Sequence, residues 1–304
     1  VKEEDYQKAY VILSETTVLE AVCGRICPHT KQCEGACVRG IKSNPVSIGE
    51  IEAFVGDISI KENYSFATVN KEHKNKKIAI IGGGPSGITA AAFLLKKGYS
   101  VTIYEKYNYL GGLLIHGIPE FRLPKDIVKQ TIQKIIDLGL EVKYNQELGK
   151  NLFLEQLEEK YDAIFLAFGA NITAKMGIKG EELKGVYAGN QLLEQQNHPN
   201  YSNKIVAVIG GGNVAIDCAR TIKRLGAQAV KVIYRRSEEQ MLAEVKEIQE
   251  AKNEGIEFEF QNNVVAILGQ DKVEQIELIR TELVQKDGEN RKVPVNVPDS
   301  NYII

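Results

Sequence analysis

The stretch KIAIIGGGPSGITAAAFLLKKGYSVTIYEK, residues 77–106, decides the fold of this chain. It contains a short apolar run, a glycine-rich turn, an amphipathic segment that ends at Gly98, and a second apolar run. This order predicts a strand, a turn, a helix and a second strand, the repeating unit of parallel α/β sheets.

Three glycines in the turn have the spacing G-x-G-x-x-G. We expect Gly82 to make the tight turn, Gly84 to let a pyrophosphate approach the backbone, and Gly87 to let the helix pack closely on the strand. The pyrophosphate would lie at the start of the helix, at Pro85 and Ser86, where free N–H groups and the helix dipole favour anions. The alternative is a glycine-rich turn that serves packing only.

The residue expected to end the second strand is Glu105, which stands 23 positions after Gly82 and is followed by Lys106, and both are candidate cofactor-binding residues. A carboxylate there accepts hydrogen bonds from a ribose diol and repels a 2′-phosphate. The first unit is therefore predicted to bind FAD or NAD rather than NADP.

A second unit, KIVAVIGGGNVAIDCARTIKRLGAQAVKVIYRRS, covers residues 204–237. Its turn reads G-x-G-x-x-A, and arginines replace the acid at the end of the second strand. Guanidinium groups bind phosphate in a bidentate manner, so this unit is predicted to bind the 2′-phosphate of NADPH, the alternative being an ordinary surface arginine pair. The candidate binding residues here are Gly210, Gly212, Asn213, Val214, Arg235 and Arg236.

Composition narrows the class of protein. The 304 residues include 38 lysines and arginines against 40 acids, a net charge of −2, which argues against a general nucleic-acid or membrane-surface role. The four histidines are scattered, and we assign no catalytic side chain because two cofactors would carry the chemistry themselves.

Four of the five cysteines lie between Cys23 and Cys37, a cluster compatible with disulfides, a zinc site or an iron–sulfur site.

Five longer motifs extend this interpretation. They are CGRICPHTKQCEGACVRG (23–40), YEKYNYLGGLL (104–114), GGLLIHGIPEFRLPK (111–125, the flavin segment below), VIGGGNVAIDCART (208–221) and YRRSEEQM (234–241). Together they resemble the small (β) subunit of glutamate synthase and its relatives, the N-terminal half of dihydropyrimidine dehydrogenase and the large subunit of NADH-dependent ferredoxin:NADP oxidoreductase.

The resemblance implies further FAD contacts. Gly112, Leu113 and Arg122 match family positions that line the flavin. The turn in FLAFGA (165–170) matches a family turn near the FAD, but Phe168 replaces its usual threonine, so only Gly169 is carried over. Cys218, on the helix of the second unit, is expected to be a small buried residue.

The resemblance also implies two [4Fe–4S] clusters in an N-terminal helical domain. By match to the family, Cys27, Cys33 and Glu52 serve one cluster and Cys37 the other, whereas Cys23 occupies a position that is usually not a ligand. We expect the family's upstream four-cysteine run and closing FAD segment to lie outside this sequence. The clusters would then be incomplete or absent in these residues alone, FAD binding would be weak, and zinc held by four thiolates stays an alternative.

The predicted fold is α/β, with two Rossmann-like domains preceded by a partial α-helical iron–sulfur domain. The FAD domain is interrupted by the NADPH domain, and the boundaries are 1–64, 65–200 and 201–304. Within this plan we expect a helix over 47–58 with Ser47 as its N-cap and a linker over 61–77.

The function implied is that of an NADPH-dependent, cytoplasmic electron-entry subunit. NADPH would give a hydride to FAD, and single electrons would pass through the clusters to a partner, either a catalytic large subunit or a ferredoxin-like acceptor. Glutamate synthase leads, with dihydropyrimidine dehydrogenase or ferredoxin:NADP oxidoreductase as alternatives and an NADP-binding regulatory module as the non-enzymatic one. A thioredoxin-reductase-like enzyme is set aside because the chain has no C-x-x-C pair.

Overall fold

The computed structural model describes residues 1–66, 74–170, 172–195, 198–285 and 292–304. They form two compact units, Val1–Ala170 and Asn171–Ile304. The middle of the predicted linker lies outside the described residues. Among those described, none of the helices has the length and apolar content that a bilayer crossing requires.

The first unit begins with a helical segment. Its helices are α1 (Tyr6–Leu13), α2 (Glu20–Ile26) and α3 (Ile48–Lys61), with 3-10 turns at His29–Lys31 and Val38–Ile41. The helix expected over 47–58 is present, with Ser47 at its N-cap, and runs three residues further. Among the described residues the Ser47 side chain makes no capping hydrogen bond, so the cap position was predicted but not its contact.

Glycines bring α2 and α3 close together. A Cβ on Gly24 would lie 2.3 Å from the Ala53 nitrogen, and one on Gly56 would lie 2.4 Å from the Ala21 nitrogen. Since Cβ atoms do not approach backbone this closely, only glycine permits the crossing. Close helix packing thus explains the presence of Gly24 in the CGRICPHTKQCEGACVRG motif.

The helical segment is followed by a parallel sheet with strand order β3-β2-β1-β4. Ile80 of the central strand and Ile88 of the helix above it are fully buried, as expected for a sheet covered on both faces. The elements are β1 (Lys77–Ile81), α4 (Pro85–Lys96), β2 (Ser100–Tyr104), α5 (Leu113–His116), α6 (Lys125–Ile136), β3 (Glu141–Lys143), α7 (Leu154–Glu158) and β4 (Ala163–Leu166).

The helical segment and the sheet share one core, and two titratable side chains line it. Glu20 of α2 is 3% exposed, and burial raises its pKa to about 7. Lys134 of α6 donates to the Ser59 hydroxyl at 3.1 Å and lies 4.0 Å from the centre of the Tyr10 ring. Burial lowers the pKa of Lys134 to about 8. Phe66, in the first part of the predicted linker, is buried in this core, so that part of the segment is not simply a solvated connection.

The second unit combines a parallel sheet β5-β6-β7 with an antiparallel sheet in which β9 pairs with β8, β10 and β11. The predicted order of strand, turn, helix and strand is confirmed in both units. The elements are α8 (Gly189–Glu194), β5 (Ile205–Ile209), α9 (Asn213–Arg224), β6 (Ala229–Tyr234), α10 (Val245–Asn253), β7 (Glu257–Phe260), β8 (Asn262–Leu268), β9 (Gln275–Val284), β10 (Val293–Asn296) and β11 (Tyr302–Ile303).

A buried cation joins α9 to α10. Arg220 is 2% exposed and forms ion pairs with Glu250 at 2.6 Å, with Glu254 at 2.8 Å, and with Glu247. A buried charge is tolerated when it is paired and hydrogen-bonded, which this arrangement provides. The network fixes the helix that follows the second glycine turn.

Candidate cofactor-binding sites

The first glycine turn has the geometry that each glycine was expected to allow. Gly82 has a φ of +105°, and a Cβ there would lie 2.4 Å from the Ala167 oxygen. A Cβ on Gly87 would lie 2.0 Å from the Gly82 oxygen, so the helix packs directly on the turn. A Cβ on Gly84 would meet no described atom within 4 Å. The backbone at Gly84 therefore faces open space, as the approach of a pyrophosphate requires.

The start of α4 follows directly. Pro85 is its first residue, and Ser86 is exposed. N–H groups in the first turn of a helix lack carbonyl partners within the helix and carry the positive end of its dipole. An anion beside Gly84 would meet both.

The acid of the first unit is buried beside this turn. The strand β2 ends at Tyr104, one residue before the predicted end, so Glu105 directly follows the strand. One carboxylate oxygen accepts from the Gly83 N–H at 2.7 Å and the other from the Tyr107 N–H at 2.9 Å. A carboxylate oxygen has two acceptor positions, so Glu105 retains capacity for a ribose hydroxyl. Lys106 is exposed and its ammonium lies 4.6 Å from the centre of the Tyr107 ring.

The flavin segment lies against the glycine turn. The Gly111 N–H donates to the Gly83 oxygen at 2.8 Å. Gly112 has a φ of +48°, and a Cβ there would lie 3.0 Å from the Gly84 Cα. Leu113 is 52% exposed, an apolar side chain available to a planar ring. Arg122 is half-buried further along the same segment.

The turn after β4 also lies against the first glycine turn. The Ala167 N–H donates to the Ile81 oxygen at 2.8 Å, which sets Ala167 beside Gly82. Gly169 has a φ of +72° and is exposed, and Phe168 is 57% exposed. Segments from three separate motifs thus meet at one glycine turn.

The second glycine turn differs at its third position. Gly210 has a φ of +134°, and a Cβ there would lie 3.4 Å from the Ala215 Cβ, an ordinary contact. Helix α9 is therefore far enough from the turn to accommodate alanine. Gly212 again faces open space, since a Cβ would have no neighbour within 4 Å in the part of the chain that the structure describes. Val214, in the first turn of α9, is 42% exposed.

The arginines follow the last residue of β6, Tyr234. Arg235 is exposed and Arg236 is half-buried. Their backbones are fixed, because the Thr281 hydroxyl donates to the Arg235 oxygen at 2.8 Å and the Gln261 N–H donates to the Arg236 oxygen at 3.1 Å. The Arg235 guanidinium consequently projects from a rigid backbone into solvent.

The chain after the arginines returns to the glycine turn. The Leu242 N–H donates to the Gly211 oxygen at 2.9 Å, and the Glu244 N–H donates to the Asn213 side-chain oxygen at 3.0 Å. Asn213, predicted as a cofactor-binding residue, thus uses its side chain to hold this loop. Its backbone N–H remains at the start of α9.

Three cysteines of the helical segment and Glu52 are predicted as iron–sulfur ligands, and several of these groups have shifted pKa values. The thiols of Cys23 and Cys27 share a hydrogen bond, which lowers the pKa of Cys27 to about 7 and raises that of Cys23. The Val46 N–H lowers the pKa of Cys37, and Cys33 is exposed. Burial raises the pKa of Glu52, whose carboxylate lies 3.9 Å from the His29 ring.

Across the described ranges, no three side chains of His, Cys, Asp or Glu converge in a group that could hold a metal ion. Cys27, Cys33, Cys37 and Glu52 therefore remain ligands predicted from the family resemblance. Cys218 is 3% exposed, as expected for a small buried residue.

One residue of the flavin segment was missed from the sequence. Lys125 donates through its ammonium to the Leu114 oxygen at 2.8 Å and to the Ile118 oxygen. Only its place as the last residue of the GGLLIHGIPEFRLPK motif could have suggested a role.

Comparison with known proteins identifies the class of protein. A family model described as pyridine nucleotide-disulphide oxidoreductase matches residues 76–297. A second, described as dihydropyrimidine dehydrogenase domain II, 4Fe-4S cluster, matches residues 1–64. The structure of Mycobacterium tuberculosis FprA in complex with NADPH is similar with a TM-score of 0.67 and 25% identity, over 75% of this chain and 68% of that one.

Curated relatives extend over the whole chain. The glutamate synthase [NADPH] small chain of Halomonas elongata is 35% identical over 100% of this chain and 67% of its own length. That of Escherichia coli (strain K12) is 34% identical over 95% and 65%. The NADPH-Fe(3+) oxidoreductase subunit beta of Geobacter sulfurreducens is 36% identical over 100% and 46%. The chain thus spans about half to two thirds of the length of these relatives.

Two parallel α/β units, each with a glycine turn open to a phosphate, define an oxidoreductase built on two dinucleotides. The chain belongs to the pyridine nucleotide-disulphide oxidoreductase family, in the group of the glutamate synthase [NADPH] small chain. The expected cofactors, FAD, NADPH and 4Fe–4S clusters, are those of this family.

Proposed function

We propose that this chain is the electron-entry part of an NADPH-dependent flavoprotein that passes electrons to a partner subunit. One observation carries the proposal. Two glycine turns of the same construction are followed by groups of opposite charge, a buried carboxylate at Glu105 and an exposed guanidinium at Arg235. Such a pair suits one dinucleotide without a 2′-phosphate and one with it.

The first site is proposed to hold FAD. Gly84 and the start of α4 would receive the pyrophosphate, Glu105 the ribose diol, and Gly112 with Leu113 the flavin ring. The open space at Gly84 and the contact between Gly112 and Gly84 support this assignment. Arg122 and Gly169 stay predictions from the family resemblance.

The second site is proposed to hold NADPH. Gly212 and the start of α9 would receive the pyrophosphate, and Arg235 and Arg236 the 2′-phosphate. The backbone of both arginines is held by hydrogen bonds, and guanidinium groups bind phosphate in a bidentate manner, which supports this assignment. When bound, NADPH supplies a hydride and FAD accepts it; the protein residues named here bind and orient the two cofactors.

The route by which electrons leave is proposed from sequence. The match of residues 1–64 to a 4Fe-4S family supports clusters there, with Cys27, Cys33, Cys37 and Glu52 as proposed ligands. We propose that the partner is a catalytic large subunit, that of glutamate synthase being favoured by its small-chain relatives, or a ferredoxin-like acceptor. We retain the boundaries 1–64, 65–200 and 201–304 and a cytoplasmic location, which suits free thiols.

The cofactor assignment is tested by replacing Arg235 and Arg236 with alanine in the full-length protein. The loss of even one charge-assisted hydrogen bond costs about 1.5–3 kcal/mol, so KM for NADPH should rise by at least about 10-fold. KM for NADH should change less than about threefold, because NADH has no 2′-phosphate. Arg280→Ala, an exposed arginine of the same unit, is the matched control. Equal rises with NADPH and NADH would contradict the assignment.

The electron-entry proposal itself is tested by the anaerobic visible absorption spectrum of the full-length protein before and after NADPH. Flavin bands that bleach on addition of NADPH are expected. A full-length protein that is colourless, or whose flavin ignores NADPH, would instead favour the regulatory module.

A further inference from the structure

We infer that Lys125 is a positioning residue for FAD, acting through the short helix α5. The inference rests on the proposed function, in which FAD binds at the first glycine turn. Lys125 does not need to touch the cofactor, since its ammonium is engaged by backbone carbonyls of the protein.

The contacts of Lys125 join the two ends of the flavin segment. Lys125 is the first residue of α6, and its ammonium donates to the oxygens of Leu114, within α5, and Ile118, just after it. The backbone N–H of Lys125 donates to the Glu120 carboxylate, 3.2 Å from each oxygen. Hydrogen bonds therefore hold both the main chain and the side chain of Lys125, and they connect α5 to the start of α6.

Helix α5 needs such support. It has only four residues, Leu113–His116. A helix this short is not stable alone, because the entropy lost in ordering its first turn exceeds the stabilisation from that turn's hydrogen bond. Its last carbonyls lack partners within the helix, and a cation beside them is favourable. Leu114 is 2% exposed and anchors one side, while Leu113 is 52% exposed and is not held by burial.

The position of α5 sets the shape of the proposed flavin contact. Gly112 is the N-cap of α5, and a Cβ there would lie 3.0 Å from the Gly84 Cα. A rotation of α5 would move Gly112 relative to Gly84 and turn Leu113 away. Removing the Lys125 ammonium should thus disturb the flavin while leaving the second glycine turn, in the other unit, unchanged.

The test compares three variants of the full-length protein: Lys125→Met, which keeps the length but removes the donors, Lys125→Arg, which keeps cation and donors, and Lys129→Met as control. Lys129 is on the same helix and its side chain is 67% exposed. FAD is titrated into apoprotein by flavin fluorescence, and the visible circular dichroism of the bound flavin is recorded. The affinity for 2′,5′-ADP reports on the second site.

Lys125→Met should weaken FAD binding roughly tenfold, the scale of a lost hydrogen bond to a charged group, and change the flavin dichroism. Lys125→Arg should restore most of both, and Lys129→Met should resemble wild type. Wild-type FAD affinity and dichroism in Lys125→Met would overturn the inference while the proposed function stands. An equal loss of 2′,5′-ADP affinity would also overturn it, as would Lys129→Met behaving like Lys125→Met. Failure of the wild-type protein to bind FAD would refute the proposed function and this inference together.

Discussion

Two glycines of the first turn, Gly87 and Gly84, should respond to alanine in opposite ways. In Gly87→Ala the new methyl would lie 2.0 Å from the Gly82 oxygen, at least 1 Å inside the closest approach that real Cβ atoms make. The turn cannot easily yield, because Gly82 has a φ of +105° and its N–H donates to the Tyr104 oxygen at 2.8 Å. Helix α4 must therefore lift from the sheet.

The cost of that movement is set by overpacking, about 1–3 kcal/mol in a close-packed core. With a urea dependence of about 2 kcal/mol per molar, a loss near 2 kcal/mol lowers the urea midpoint by about 1 M. In Gly84→Ala the methyl meets no described atom within 4 Å, and a φ of −76° suits alanine. Stability should hold or rise by about 0.4–1 kcal/mol, because the unfolded chain loses freedom.

FAD binding should be weakened more by Gly84→Ala than by Gly87→Ala, the reverse of the order expected for stability. The methyl of Gly84→Ala occupies the space through which the pyrophosphate would approach, and an overlap costing about 1–3 kcal/mol weakens FAD binding roughly 5- to 150-fold. The assay is urea unfolding followed by circular dichroism, with FAD titration of apoprotein, on both variants in the full-length protein. Wild-type FAD affinity in Gly84→Ala would refute the pyrophosphate assignment, and an unchanged urea midpoint in Gly87→Ala would refute the packing argument.

Two further predictions concern buried charges. Burial raises the pKa of Glu20 from 4.5 to about 7, so the stability that its protonated form contributes is complete below about pH 4.5 and is lost as pH rises to about 7. Glu20→Gln should therefore be less sensitive than wild type between pH 5 and 7.5, a difference of up to about 3 kcal/mol in urea unfolding, and equal pH dependence would contradict this. Arg220→Met leaves Glu247 and Glu250 without their cation, whereas Glu254 keeps its ion pair with Arg224. The variant should cost about 3–5 kcal/mol in thermal unfolding, and a loss below about 1 kcal/mol would show that the network does not stabilise α9.

The sequence predicted the features that depend on local pattern. Both strand–turn–helix–strand units were predicted because apolar periodicity and glycine spacing are properties of about 30 consecutive residues. The antiparallel strands β8 to β11 were not, because their register depends on pairing between distant residues such as Val264 and Leu278. The α2–α3 crossing at Gly24 and Gly56 also escaped prediction, since a glycine needed for close approach has no local signature inside a helix.

The charged groups of the two proposed sites, Glu105 and Arg235, differ in how much their side chains contribute to stability. Glu105 is 4% exposed and its carboxylate accepts from the Gly83 and Tyr107 N–H groups, so replacing it would leave buried donors unsatisfied as well as remove the proposed ribose contact. Arg235 is exposed, and the contact that holds it to Thr281 is made by its backbone oxygen, which any residue would provide. A change of cofactor preference at the second site can therefore occur without loss of stability, whereas the first site couples its preference to its turn. This asymmetry suits a flavin that stays bound and a nicotinamide nucleotide that exchanges in each cycle.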